Sequence, residues 1–88
     1  MRESSPSAVH KQPVPLLAIN QGTRCIISSL EGGADFRRRL RNIGVSEGKK
    51  LKVVAKYPFS GPIVIEVDGR KITIGRGMAS KIAVEFET

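Results

Sequence analysis

The stretch Ala34-Asp35-Phe36-Arg37-Arg38-Arg39-Leu40-Arg41-Asn42-Ile43-Gly44-Val45-Ser46-Glu47-Gly48 decides how the rest of the chain is read. Phe36, Leu40 and Ile43 fall at i, i+4 and i+7, so they share one face of a helix, and the arginines take the other faces. Asp35 lies in the first turn and Arg41 near the last, each where the helix dipole favours its charge. Asp35 and Arg39 are also spaced i, i+4 for a weak ion pair. Gly44 is placed for the left-handed position after the helix, and Val45 follows as the apolar residue that packs back on the last turn. The spacing therefore predicts a short amphipathic helix, a glycine stop and a tight turn into a strand.

Working outward, the flanking segments change from helical period to period two. Thr23 to Leu30 places Cys25 and Ile27 on one side and Arg24, Ile26 and Ser28 on the other. After Gly48, Leu51, Val53 and Ala55 face in while Lys50, Lys52 and Lys56 face out. Tyr57-Pro58-Phe59-Ser60-Gly61-Pro62 is a loop by its proline and glycine content. Ile63, Ile65 and Val67 share a face, Asp68-Gly69 signals a tight hairpin, and Ile72 and Ile74 return inward. Gly75 to Lys81 suits a single helical turn around Met78-Ala79, and Ile82, Val84 and Phe86 alternate as a last strand.

Five short strands with one helix after the first predict a mainly β chain. Closure hides sheet edges, so a small SH3-like barrel is expected rather than a flat sheet. Met1 to Pro15 holds several Ser and Pro and little to bury, so residues 1–15 are expected to form a disordered tail and 16–88 the domain. Leu16, Leu17 and Ile19 begin the fold, and Asn20-Gln21-Gly22 turns into the first strand.

The 88 residues carry 15 Lys and Arg against 8 Asp and Glu, a net charge of +7. That balance favours an acidic partner: nucleic acid, an anionic membrane surface or an acidic protein face. No apolar run reaches the length of a membrane span, and the N-terminal residues lack the apolar core of a secretory signal. The single cysteine, Cys25, excludes an intrachain disulfide. A cytoplasmic protein without membrane insertion is expected.

The chain offers little of an enzyme's chemistry. No phosphate-cradling glycine motif occurs, and Gly75-Arg76-Gly77 is better explained as a turn at a strand end. His10 lies in the expected tail and Cys25 on an inward strand face, which makes neither a nucleophile with its base nor a zinc site. Glu66 and Asp68 point outward, and Glu85 and Glu87 read as a solvated edge. No catalytic residue, cofactor or bound metal is expected.

The basic set is the strongest raw signal: Arg37, Arg38, Arg39 and Arg41, joined by Lys49, Lys50 and Lys52. Solvation alone explains such a run first, an acidic protein partner second and nucleic acid third. The four aromatics, two of which read as buried, are few for a nucleic-acid stacking platform. Tyr57 and Phe59 flank a proline in a loop, either as an exposed anchor or as a minicore beneath it. The candidate partner-binding residues are Arg37, Arg38, Arg41, Lys50, Tyr57 and Phe59.

From about Leu17 to Phe86 the chain resembles the FeoA family, small cytosolic companions of the FeoB ferrous-iron transporter. The likeness rests on Gly22 before the strand with Cys25 and Ile27, then Arg39-Leu40, Ile43-Gly44-Val45 and Gly48. It continues through Gly61-Pro62, Gly69, Ile72-Thr73-Ile74, Met78-Ala79 and Ile82-Ala83-Val84. The family's Leu-Gly-Leu-x-Pro-Gly turn appears as Ile43 to Gly48, with Glu47 in place of the proline. The resemblance implies an SH3-like barrel with a helical insertion and a non-enzymatic accessory role in ferrous-iron uptake, through contact with the cytosolic part of the transporter. The same domain resembles the C-terminal module of iron-dependent repressors, but this chain lacks their winged helix and metal ligands. A nucleic-acid-binding barrel using the basic helix is the alternative, and homo-oligomerisation stays open.

Overall fold

The computed structural model describes residues 12–87. The elements run β1 (Val14–Pro15), a 3-10 turn (Leu16–Ala18), β2 (Arg24–Leu30), α1 (Ala34–Asn42), β3 (Lys50–Lys56), β4 (Ile63–Val67), β5 (Arg70–Ile74), α2 (Arg76–Ala79) and β6 (Ile82–Phe86). The strands form one antiparallel sheet in the order β1-β6-β2-β3-β4-β5. The mainly β architecture with a helix after the first long strand is the expected one.

The sixth strand is the departure. Val14 and Pro15, expected in the tail, pair with Val84 and Ala83 of β6. Proline lacks an N–H for a ladder, which argues against a central strand but is tolerated on an edge, and β1 is an edge. The next residue, Leu16, is fully buried. The domain thus begins at least two residues before the expected boundary. Residues 1–11, with His10 and most of the expected tail, lie outside the described residues.

Two β-bulges curl the sheet. One falls between Ile27 and Ser29 against β6, the other between Val53 and Ala55 against β4. An extra residue bends its strand and resets the alternation. The first therefore lets Leu30 join Cys25 and Ile27 in the core, which strict alternation forbids. The second leaves Ala55 half-buried where it was expected inward. Ile63, Ile65, Val67, Ile74, Ile82 and Val84 complete the core from the sheet, and Ile72 packs beside it half-buried. Among the described residues no polar or charged residue is buried. At β4–β5 both hairpin residues take positive φ, 52° at Asp68 and 77° at Gly69, as the two-residue turn requires.

Helix α1 ends as its sequence dictates. Gly44 holds φ +100°, its N–H donates to Arg41 O at 3.1 Å, and the Val45 N–H donates to Leu40 O at 2.9 Å. These are the two bonds of a Schellman stop, and Val45 is fully buried beside Leu40. The apolar face is narrower than expected. Leu40 is buried and Phe36 partly so, but Ile43 is 40% exposed. Ile43 is the C-cap with φ −95° and ψ 7°, so the 100° step has already lapsed and Val45 takes the inward place. Asp35 pairs with Arg38, one turn away at i+3, instead of Arg39. Among the aromatics only Phe36 is partly covered, with the Lys81 ammonium 5.5 Å from its ring centre; Tyr57, Phe59 and Phe86 are exposed. Phe86 sits at the end of β6, where inward parity no longer means burial.

Candidate partner-binding surface

The arginines of α1 are on the outside, as the helix period requires, but they are not idle. Arg37 donates through Nη1 to Gly32 O at 2.5 Å, tying the helix to the turn before it. Arg38 pairs with Asp35. Arg41 forks onto Glu47, Nη2 to Oε2 at 2.8 Å and Nε to Oε1 at 3.3 Å. This donation holds the Glu47 carboxyl below the usual glutamate range and raises Arg41 above its own. On β3, Lys50 lies 3.3 Å from Glu87, and just before it Lys49 lies 2.6 Å from Asp68. All four ion pairs are solvent-accessible, and exposed pairs contribute little to stability. Their consequence is local neutralisation: three of the four cations expected to meet a partner already face a carboxylate. Sequence spacing missed Glu47 as Arg41's partner because i+6 is not a helix spacing; the reversal at Gly44 brings it round.

The loop between β3 and β4 holds the aromatic pair. Phe59 is 98% exposed and Tyr57 52%, so the loop covers no minicore. Its base is tied by Tyr57 N–H to Pro62 O at 3.1 Å and Gly61 N–H to Pro58 O at 3.0 Å. A Cβ at Gly61 would stand 2.8 Å from Tyr57 Cβ, so the close fold-back needs glycine there. At the tip Phe59 and Ser60 take φ 58° and 64°, a region bulky L-residues avoid. Arg76 of α2 reaches Gly61 O at 3.4 Å, and Lys56 donates through Nζ to Leu17 O at 2.8 Å. Neither residue was singled out from the sequence, since nothing local shows that α2 and the 3-10 turn meet this loop. Among the described residues no hydrogen bond or ion pair joins the aromatic loop to the cations of α1 and Lys50. The six candidates form two groups.

Two open grooves mark the surface, and of the six candidates only Lys50 lines one of them. One, of about 340 Å³, is lined by Arg24, Lys50, Lys52, Glu66, Asp68 and Glu87, with both signs interleaved. The other, of about 430 Å³, lies along β1 and the start of β6. Cys25 is buried on the core face of β2, and burial, with Glu87 nearby, pushes its thiol up to about 11. Among the described residues no three His, Cys, Asp or Glu side chains are grouped to hold a metal ion. No helix among them is long and apolar enough to cross a membrane.

A small curled sheet with an apolar interior, and with its charged and aromatic groups turned outward, defines a domain of the SH3-like class. The model of the FeoA domain matches residues 14–86, and the chain belongs to the FeoA family. It is 38% identical over 71 residues to the putative Fe(2+) transport protein A of Methanocaldococcus jannaschii, covering 81% of this chain and 84% of that one. It is 30% identical over 71 residues to an Fe(2+) transport protein A/Fe(2+) transporter FeoB fusion protein of Porphyromonas gingivalis, covering 81% of this chain and 8% of the fusion. Among solved structures, the crystal structure of an iron uptake regulatory protein, FeoA, superposes with TM-score 0.74 at 32% identity, over 84% of this chain and 96% of that one. The FeoA protein of Chlorobium tepidum superposes with TM-score 0.78 at 31% identity, over 85% and 71%. A manganese-dependent transcriptional repressor shares the fold, with TM-score 0.80 at 23% identity over 88% of this chain and 43% of that one.

Proposed function

We propose that this chain is a non-enzymatic accessory protein of ferrous-iron uptake that works in the cytoplasm by docking on the cytosolic part of a FeoB-type transporter. The observation that carries the reading is the fusion protein, in which a related domain shares one polypeptide with the transporter. Covalent linkage raises the effective concentration of one module at the other, which suits modules that function in contact.

In this reading Arg37, Arg38, Arg41 and Lys50 supply recognition of an acidic face, and Tyr57 and Phe59 supply the apolar anchor. The exposed ion pairs of Arg38, Arg41 and Lys50 are weak enough to exchange for carboxylates of a partner. The interleaved acids on the same surface, Asp35, Glu47 and Glu87, count against a phosphate backbone, which calls for an uninterrupted cationic track.

The test is direct binding of the chain to the purified cytosolic part of the transporter, with and without nuclease. Binding that survives nuclease is expected. Arg37→Ala with Arg41→Ala should slow association at low salt and matter less as salt rises, because rim charges act mainly on encounter. Retention on nucleic acid with no affinity for the transporter would overturn the reading.

A further inference from the structure

The aromatic loop carries more than its exposure. Phe59 projects almost its whole side chain into solvent from a backbone held by hydrogen bonds at its base and closed by Gly61. Two successive non-glycine residues in the left-handed region are costly. A backbone strained at a tip that covers nothing in its own fold points to a use outside that fold. A ring 98% exposed at the tip of a six-residue loop fits a soft surface that closes round it more readily than a protein surface needing a matching pocket. Aromatic rings, tyrosine above all, settle where one end is apolar and the other wet.

The surroundings have one sign. The loop itself, residues 57–62, carries no charged residue. The segments bonded to its base are the 3-10 turn region, through Lys56 to Leu17 O and Gln21 Oε1, and α2, through Arg76 to Gly61 O. No acidic residue occurs in residues 12–30, 48–65 or 69–84, the three stretches that supply these contacts. Lys56 and Arg76 have no ion-pair partner among the described residues. An aromatic tip backed by uncompensated cations is complementary to an anionic bilayer, where basic residues meet the lipid charge while the ring enters below it.

We propose that the Tyr57–Phe59 loop is a membrane-interface anchor that seats this chain on an anionic lipid surface, with Phe59 entering the boundary between headgroups and acyl chains. The proposal gives this loop a lipid occupant in place of a protein one, leaving the cations of α1 and Lys50 to the transporter, and it rests on the transporter reading only for where the chain meets a bilayer. The affinity itself belongs to the chain alone.

The chain has no tryptophan, so Phe59→Trp creates a single reporter at the tip. The full chain, its Phe59→Trp variant and its Phe59→Ala variant are mixed with vesicles of phosphatidylcholine containing phosphatidylglycerol, and with vesicles of phosphatidylcholine alone. Expected are co-flotation with the anionic vesicles, weakening as salt rises, and a blue shift of the reporter's indole emission with quenching by brominated acyl chains. Phe59→Ala should lower the partition coefficient by about tenfold or more, the loss of one inserted aromatic side chain. Phe59 is exposed, so the variants should melt like the parent, and a melting curve verifies this. Failure to float, a Phe59→Ala variant that floats as well as the parent, or an unshifted reporter overturns the proposal. A shift of the reporter on adding the transporter's cytosolic part, but not on adding vesicles, overturns the lipid anchor and supports the docking reading. Flotation without any affinity for the transporter does the reverse.

Discussion

Replacing Gly44 by alanine tests the junction on which α1 depends. Gly44 holds φ +100° at the stop of α1, and a Cβ there would lie 2.5 Å from Arg70 Nη2. The left-handed backbone costs an L-residue roughly 1–2 kcal/mol. The contact is with the far end of a flexible side chain, so Arg70 can swing away and lose only its 3.4 Å bond to Ile43 O, worth roughly 0.5 kcal/mol. Reduced freedom of the unfolded chain returns roughly 0.4–1 kcal/mol. The net is a destabilisation of about 0.5–2 kcal/mol, which for a domain of this size lowers the melting midpoint by roughly 2–15 °C. Gly44→Asn should recover part of the loss, because asparagine tolerates this conformation. Gly77→Ala is the control: it lies within α2 at an ordinary φ with nothing within 4 Å of its Cβ, so it should be neutral or slightly stabilising. Thermal melts followed by far-ultraviolet circular dichroism read all three. A Gly44→Ala midpoint equal to the parent's, or an equal loss at Gly77→Ala, would refute the assignment of Gly44 as the conformational stop.

Three further expectations follow from particular contacts. Val14→Asp should lower the melting midpoint, since it puts a charge on a half-buried strand residue paired with Val84; an unchanged midpoint would return Val14 to the tail. Glu47 has a depressed folded-state pKa because Arg41 donates to it, so its small stabilising effect is present above its unfolded-state pKa and is lost as pH falls through the folded one. Arg41→Ala should move the Glu47 titration upward, towards the ordinary glutamate value, in a carbon-detected NMR titration, and no movement would show that the pair does not persist in solution. Cys25, buried with its thiol pushed up to about 11, should react slowly with a thiol-disulfide reagent in the native state at neutral pH and quickly in denaturant. Rapid native reaction would show that β2 opens.

Local rules were enough wherever one residue's own conformation set the outcome. The glycine stop of α1, the Asp68-Gly69 turn and the inward row of β4 could be read directly, because a positive φ or a period of two is a property of a short stretch, whereas in β6 the row holds at Ile82 and Val84 and fails at Phe86. The same holds for the family, since the order and spacing of Gly22, Ile43-Gly44-Val45, Gly69 and Met78-Ala79 lie in the chain itself. The candidate surface was legible only in kind. Spacing put Arg37, Arg38 and Arg41 on the outside and Tyr57 and Phe59 in a loop, and both placements hold.

Tertiary structure decided everything that depends on which distant segments meet. Val14 and Pro15 become a strand only because β6 offers an edge that does not need proline's missing donor. Leu30 turns inward only because a bulge against β6 resets its strand. Glu47 claims Arg41 only after the chain reverses at Gly44, and Lys50 meets Glu87 only because β3 and the end of β6 both flank β2. The cationic base of the uncharged loop likewise comes from distant segments, since Lys56 reaches Leu17 O and Arg76 reaches Gly61 O. A sequence fixes each residue's own preferences, but the energy of an ion pair or a buried contact belongs to two residues at once, and only the fold chooses the pairs.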